Sequence, residues 1–426
     1  MIAVLCLAFA VLLCLSVPIA FAMLTATAVA MAVGGSLPYA LIAQRVGAGV
    51  ENFTYLAIPL FILAGVIMEH SGISTRLVAL ARALVGHIRG GMGQVVIVSE
   101  IFFSGISGAS LSDASAIGSL MYPTLKQSGY DPGRAVAIIA AACAMGILIP
   151  PCLTMVVLGA LAGVSVAALF VAGFLPGLLM ALALMVFVYV QARRGLLPGG
   201  LEKASWRETW QAFKGSVLAL MLPVIIFGGI LGGVFSPTEA AAVAVLYALV
   251  IALFVYRELK WKSLYKLFVD TAVITGAIGL ILGAATGFTS ILALEGAPTA
   301  VGNLVSSVST NPIVFMIAAN LIFIFFGAIL DGIPALLLFI PILMPVASSL
   351  GIDPLHFTLV SVASLGVGLV IPPIGIMLLV ICSITRTPLA VVARAMLPYL
   401  VILGACLLFI IAVPSVVLVL PRAVGL

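Results

Sequence analysis

Residues 104–113 read SGISGASLSD, with four serines, two glycines and an aspartate in ten positions of a chain that is only 7% charged. Gly105 and Gly108 would let backbone carbonyls approach an ion or ligand, while Ser104, Ser107, Ser110 and Ser112 supply hydroxyl oxygens. Asp113 adds a charge that hydrocarbon does not accept unpaired. A second stretch, GAILDGIPA at 327–335, sets Asp331 beside Gly332 with Pro334 close behind. Oxygen-only donors on unwound backbone suit Na⁺. A lone buried carboxylate can also carry a proton, and that rival stands beside it. The hydroxyl count favours Na⁺. Close helix packing accounts for some of the small residues, but not for the aspartates.

The elements that must hold these residues are membrane helices. Of the 426 residues, 64% are hydrophobic, whereas a soluble domain is roughly a quarter charged. Apolar runs at 2–33, 169–191, 238–256 and 389–413 are long enough to span a bilayer. A membrane β-barrel would show short alternating segments instead. The run over 2–33 has no preceding basic residue and exceeds a signal-peptide core, so it reads as a first spanning helix. The six cysteines form no CxxC pair and read as reduced packing residues.

The chain repeats itself. GYDPGRAV (129–136) leads to ILIPPCLTM (147–155), and GIDPLHFT (351–358) leads to LVIPPIGIM (369–377). Asp131-Pro132 and Asp353-Pro354 are 222 apart, as are Pro150-Pro151 and Pro372-Pro373. Pro123 and Pro345 keep that offset, whereas Asp113 and Asp331 are 218 apart, about one helical turn out of register. The expected organisation is a first repeat over 1–200, a cytoplasmic amphipathic linker helix over 201–215 and a second repeat over 216–426. Consecutive prolines break a helix, which predicts discontinuous helices at about 133–165 and 355–385. Such backbone survives at membrane depth only where it lines a cavity or is buried in protein.

Charge sets the orientation. Lys and Arg collect at 76–89, 126–134, 193–214, 257–266 and 386–394, whereas 35–50, 295–311 and 346–356 hold only Arg45. With the basic segments cytoplasmic, 16 of the 18 Lys and Arg lie inside. Segments 76–89 and 126–134 then share a side, so about 92–125 must enter and return as a re-entrant hairpin. Its partner, about 311–349, enters from the opposite face. The fold class expected is an all-α polytopic membrane protein with an inverted repeat, two re-entrant hairpins and two discontinuous helices. Inverted repeats around a midplane site mark secondary transporters. The N-terminus is expected in the cytoplasm and the C-terminus in the periplasm.

Other classes fit less well. GISG at 105–108 matches a serine motif of intramembrane rhomboid proteases, but His70, His87 and His356 fall near membrane edges. The GxGD signature of intramembrane aspartyl proteases is missing, and so is a GxxxxGK[ST] loop, so neither an enzyme nor ATP is expected. A channel would not need two hairpins approaching one site from opposite sides. The basic excess follows membrane orientation, so nucleic acid is not an expected partner. Glu100, Asp270 and Glu239 lie in or near spanning helices, and Glu239 reads as part of an N-cap with Ser236. SWRETWQAFKGS (205–216) reads as a helix on the cytoplasmic lipid surface, or as a docking surface for a partner.

The motifs AIPLFILAGVIME (57–69), FFSGISGASLSDASAIGSLMYP (102–123), GYDPGRA (129–135), IPPCLTMVVLGALAGVS (149–165), FSPTEAAAVAVLYAL (235–249) and IPPIG (371–375) carry a resemblance. The chain resembles the large membrane subunit of TRAP (tripartite ATP-independent periplasmic) transporters, the DctM-like family. The resemblance implies a multi-pass protein of the bacterial inner membrane, an elevator mechanism and Na⁺-coupled symport of an organic acid. It also implies a small four-helix membrane partner, as a separate chain, and a periplasmic substrate-binding protein. Two Na⁺ sites follow from it, each where a hairpin tip meets the broken helix of its half. One draws on Ser104, Ser107, Asp113, Gly146 and Pro150, the other on Asp331, Gly332, Gly366 and Ile371. Substrate is expected against Gly105, Gly108, Ser110, Pro151, Pro372, Pro373 and Gly375. The chain departs from the family at Cys152, where serine is usual, and at Ile371, where threonine is usual. It also has Ser112 and Ser115 where alanine is common. A self-sufficient Na⁺- or H⁺-coupled dicarboxylate carrier of similar architecture is the alternative.

Overall fold

The two Asp-Pro pairs that mark the repeat each start a helix. Asp131 accepts hydrogen bonds from the Gly133 and Arg134 amides, Asp353 accepts one from Leu355, and the following proline fills the first helical position. A computed structural model of the chain describes all residues except 35–37, 39, 109, 309–310 and 331, and the side chains of residues 107 and 304–308.

The described residues form twenty α-helices and no strand. The first five are α1 (Ile2–Cys14), α2 (Ile19–Gly34), α3 (Ala40–Ala48), α4 (Ala57–Glu69) and α5 (Ile73–Val85). The first hairpin consists of α6 (Gly91–Ser107) and α7 (Ser110–Gln127). A helix broken into α8 (Pro132–Gly146) and α9 (Leu153–Ala162) follows, and then the long α10 (Val166–Arg193). Next come α11 (Trp206–Leu231), α12 (Pro237–Val250), α13 (Trp261–Leu294) and α14 (Ala297–Val308). The second hairpin is α15 (Pro312–Ile329) with α16 (Gly332–Ser349), and the second broken helix is α17 (Pro354–Gly368) with α18 (Ile376–Thr385). The chain closes with α19 (Leu389–Ala412) and α20 (Ser415–Ala423). Among the described residues, seven helices are long and apolar enough to cross a membrane, or eight counting the bent pair of Ala40–Ala48 with Phe53–Glu69.

The two breaks lie at the proline pairs, between Gly146 and Leu153 and between Gly368 and Ile376. Each hairpin packs on the first half-helix of its own repeat, α6 and α7 on α8, α15 and α16 on α17. Its second arm then crosses to the second half-helix of the other repeat, α7 to α18 and α16 to α9. Tyr122 on α7 is hydrogen-bonded to Thr387, just beyond α18, at 3.0 Å. The half-helices α8 and α17 also touch. A Cβ built on Gly366 would lie 2.5 Å from the Ala144 carbonyl oxygen. The core here is nearly seamless, since every residue of α8 from Ala135 to Gly146 is buried.

Two expectations are corrected. The apolar run 2–33 is not one spanning helix. It breaks at Ser16, whose φ is 61°, just before Pro18, and α1 packs along α2. Met1 consequently sits against Gly34, and its amino group lies 3.5 Å from Glu295. The N-terminus thus lies beside the end of α13, near Glu295. The linker does not form its own helix over 201–215 either. Residues 201–205 are non-helical, and a capping box between Ser205 and Glu208 starts α11, which runs unbroken past Gly215. Ser236 and Glu239 form the corresponding box on α12, as expected.

Candidate functional site

The first hairpin tip docks on the first break. Ser104 donates its hydroxyl to the Gly146 carbonyl at 2.5 Å and also lies 3.4 Å from the Ile149 carbonyl. Gly146 closes α8 and Ile149 follows it, and the Gly146 carbonyl also accepts the Ile149 amide at 2.8 Å. Gly108 turns the chain at φ 64°, and its carbonyl accepts the Leu153 amide at 3.0 Å, tying the tip to the start of α9. A Cβ on Gly108 would stand 2.8 Å from the Pro151 carbonyl oxygen, and one on Gly105 would stand 3.6 Å from that of Pro150. Gly105, Pro150 and Pro151 are buried, while Gly108 and Ser110 are half-buried. The structure therefore brings Ser104, Gly105, Gly108, Gly146, Pro150 and Pro151 together. The Ser107 side chain lies outside the described residues.

Asp113, 1% exposed, faces a narrow cavity between α7, α4 and α5 that it lines with Ser112, Glu69, Met68 and Phe103. Ser112 donates to Glu69 at 3.1 Å. Asp113 is also close enough to Glu100 for their charges to interact. Glu100 is fully buried one turn before Ser104 on α6, and the Cys143 thiol of α8 lies 3.6 Å from its Oε2. Glu69 and Glu100 were not among the expected site residues. Glu100 stood out as a lone charge in an apolar helix, but nothing local indicated that it meets α8.

The second half is built differently. Asp331 lies outside the described residues. Gly332 packs on Leu365, and a Cβ on Gly368 would come 2.5 Å from the Ile324 carbonyl, so α15 and α17 approach backbone to backbone. Gly366 presents its Cα to Ala144 of α8, not to the hairpin. The polar contact between arm and half-helix is made by Asn320, which accepts from Ser364 and donates to the Met316 carbonyl at 2.5 Å. The Ile371 carbonyl accepts the Gly375 amide at 2.8 Å. Ile371 and Pro372 line an apolar cavity of about 250 Å³ with Leu321, Phe325 and Ile329, and Pro373 is exposed beside them. The first proline pair is buried and the second is open.

The first-half donors fit a small hard cation. They are a hydroxyl, backbone carbonyls and buried carboxylates, with none of the chain's Lys or Arg residues on α6, α8 or α9 except Arg134 at the start of α8. Among the described residues no three His, Cys, Asp or Glu gather as ligands for a transition metal. In the second half the described donors are the Asn320–Ser364 pair and the turn carbonyls.

Residues 6–416 match the family model described as the tripartite ATP-independent periplasmic transporter, DctM component. A sialic acid TRAP transporter large permease protein, SiaM of Vibrio cholerae, is 37% identical over 96% of this chain and 96% of its own. A C4-dicarboxylate TRAP transporter large permease protein, DctM of Pseudomonas aeruginosa, is 37% identical over 88% of each. Among solved structures, the Alcanivorax borkumensis YdaH transporter aligns with a TM-score of 0.63 at 15% identity, covering 87% of this chain and 86% of that one. That likeness is one of fold.

Proposed function

The chain belongs to the DctM family, the large permease components of TRAP transporters, and from that premise we propose that it drives Na⁺-coupled uptake of an organic acid. It is a transport component and not an enzyme. The observation that carries the cation reading is the docking of the first tip on the end of α8. Ser104, the Gly146 and Ile149 carbonyls and the buried Glu100 carboxylate meet there without a basic side chain. Ser104, Gly146 and Pro150 would hold a cation at this point, with Asp113 supplying charge nearby. Asp331, Gly332 and the turn at Ile371 would serve the second site. Bound Na⁺ supplies positive charge that an anionic substrate otherwise lacks at this depth.

The substrate class rests on the relatives, whose names specify sialic acid and C4-dicarboxylates, both organic acids. A carboxylate would rest on the amide ends of α7, α9 and α18 around Gly105, Gly108, Ser110, Pro151, Pro372, Pro373 and Gly375. Delivery is by a periplasmic binding protein, with a small four-helix membrane subunit beside the scaffold and the whole assembly in the bacterial inner membrane. On the reading that the basic segments are cytoplasmic, the contact of Met1 with Glu295 supports a periplasmic N-terminus, and the C-terminus is read as periplasmic from the charge pattern.

An inverted pair of repeats is supported by Ala144 and Gly366. They are 222 apart, equivalent positions by the sequence repeat, and they touch each other. Contact between equivalent positions is what a two-fold axis produces. The reciprocal crossing of α7 to α18 and α16 to α9 has the same origin. Hairpins and broken helices would then move as one body against α4, α5, α10, α11 and α13, in an elevator cycle.

The test is reconstitution of the chain with its small subunit in liposomes. Labelled sialic acid and C4-dicarboxylates are offered under an inward Na⁺ gradient, with and without the binding protein. Uptake should require both. Transport by this chain alone would instead make it a self-sufficient carrier, and transport driven by pH and indifferent to Na⁺ would replace the cation by a proton.

A further inference from the structure

Glu100 has no place in the site the repeats define, yet it sits at its centre. It is 0% exposed, lies on α6 one turn before Ser104, and points at the end of α8. A side chain on Gly146 would collide with its Oε1. Its Oε2 meets the Cys143 thiol at 3.6 Å, whereas Oε1 is buried without a hydrogen-bond partner. Among the described residues the ion pairs are Met1–Glu295, Arg76–Glu258 and Arg422–Asp353, so no basic group answers Glu100.

Apart from the Cys143 thiol on Oε2, the surroundings make the Glu100 charge harder to hold. Burial removes water. The end of α8 presents carbonyl oxygens and the negative end of the helix dipole. The tip serine is already turned onto the same carbonyls. What satisfies a bare carboxylate oxygen beside a hydroxyl and carbonyl oxygens is a small hard cation. The corresponding contact in the second half is neutral, Asn320 with Ser364, so the extra acid is peculiar to the first half.

We propose that Glu100 is the charged ligand of a monovalent-cation site it forms with Ser104 and the carbonyl end of α8. The proposal rests on the cation-coupled reading above and deepens it. Neutralising Glu100 should weaken this site while removing the cost of the bare charge.

The experiment is thermal unfolding of the purified full-length protein while NaCl replaces choline chloride at constant ionic strength, at two pH values. A ligand that binds the folded state raises the midpoint as its concentration grows. The wild type should show a Na⁺-specific rise. Glu100→Gln should unfold at a higher midpoint than wild type in choline, and its half-saturating Na⁺ concentration should increase at least tenfold. An unchanged half-saturating concentration with the wild-type response intact overturns the role of Glu100 and leaves Na⁺ coupling standing. A variant less stable than wild type in both salts makes Glu100 a packing residue and also overturns it. A wild type that ignores Na⁺, or follows only pH, sinks the Na⁺ reading itself and this proposal with it. Should Glu100→Gln not be obtainable, Glu100→Asp keeps the charge but shortens its reach. It should also raise the half-saturating concentration, and no shift would again refute the assignment.

Discussion

Gly146 leaves open the space that the Glu100 carboxylate occupies, while its own carbonyl accepts the Ser104 hydroxyl at 2.5 Å. One residue without a side chain thus lets an acid and a hydroxyl from the same face of α6 reach the end of α8. Gly146→Ala would drive a methyl group into the carboxylate, an overpacking worth about 1–3 kcal/mol. Uptake in reconstituted liposomes should fall at least tenfold, with membrane insertion unchanged. Pairing it with Glu100→Asp, which withdraws the carboxylate by one methylene, should restore part of the loss. No recovery in the double variant would mean the collision is not the cause.

Gly108 and Gly163 separate backbone strain from docking. Both have left-handed φ, 64° and 66°, but a Cβ on Gly108 meets the Pro151 carbonyl whereas one on Gly163 meets nothing within 4 Å. Alanine at either position costs about 1–2 kcal/mol for the backbone alone. Gly108→Ala should lower the unfolding midpoint further than Gly163→Ala, and only Gly108→Ala should abolish uptake. Equal effects on both measurements would deny the tip its role.

Asp353 caps α17 and also pairs with Arg422 at 3.7 Å on an exposed surface. A cap is worth about 1 kcal/mol, and an exposed ion pair about 0–1 kcal/mol. Asp353→Asn keeps an oxygen for the Leu355 amide, so it should unfold close to wild type. Asp353→Ala should be less stable by about 1 kcal/mol. Denaturation of the two purified variants decides it, and a loss as large in Asn as in Ala would shift the credit to the ion pair.

The parts of this architecture legible in the sequence are those where covalent geometry dictates conformation. Asp-Pro pairs start helices and proline pairs end them, so α8, α9, α17 and α18 fall within a few residues of expectation. Hydropathy is silent inside a uniform apolar run. Nothing in the apolarity of 2–33 locates the turn at Ser16, although Pro18 was a sign that one helix could not pass unbroken. The charge-based placement of the N-terminus assumed one crossing over 2–33, where α1 and α2 instead pack side by side. The site was legible only on the hairpin side. Ser104 and Gly108 announce themselves by local composition, whereas Glu100 acquires its meaning from Cys143 and Gly146, more than forty residues away. Asn320 and Ser364 were hidden for the same reason, since each is an ordinary polar residue until packing joins them.

The elevator reading makes two contacts of α7 behave oppositely. Ser112 is hydrogen-bonded to Glu69 of α4 at 3.1 Å, a link from hairpin to scaffold, whereas Tyr122 meets Thr387 at 3.0 Å inside the body proposed to move. The six native cysteines are first replaced, since two of them, Cys6 and Cys14, are exposed and would react. Cysteine pairs at 112/69 and at 122/387 are then bridged by Hg²⁺ in liposomes. Bridging Ser112→Cys to Glu69→Cys should arrest uptake until excess dithiol strips the metal by ligand exchange, because that contact must break for the hairpin to travel. Bridging Tyr122→Cys to Thr387→Cys should leave uptake near its unbridged rate, since both ends ride together. Arrest by the second pair, or free transport through the first, would place the moving boundary elsewhere in the fold.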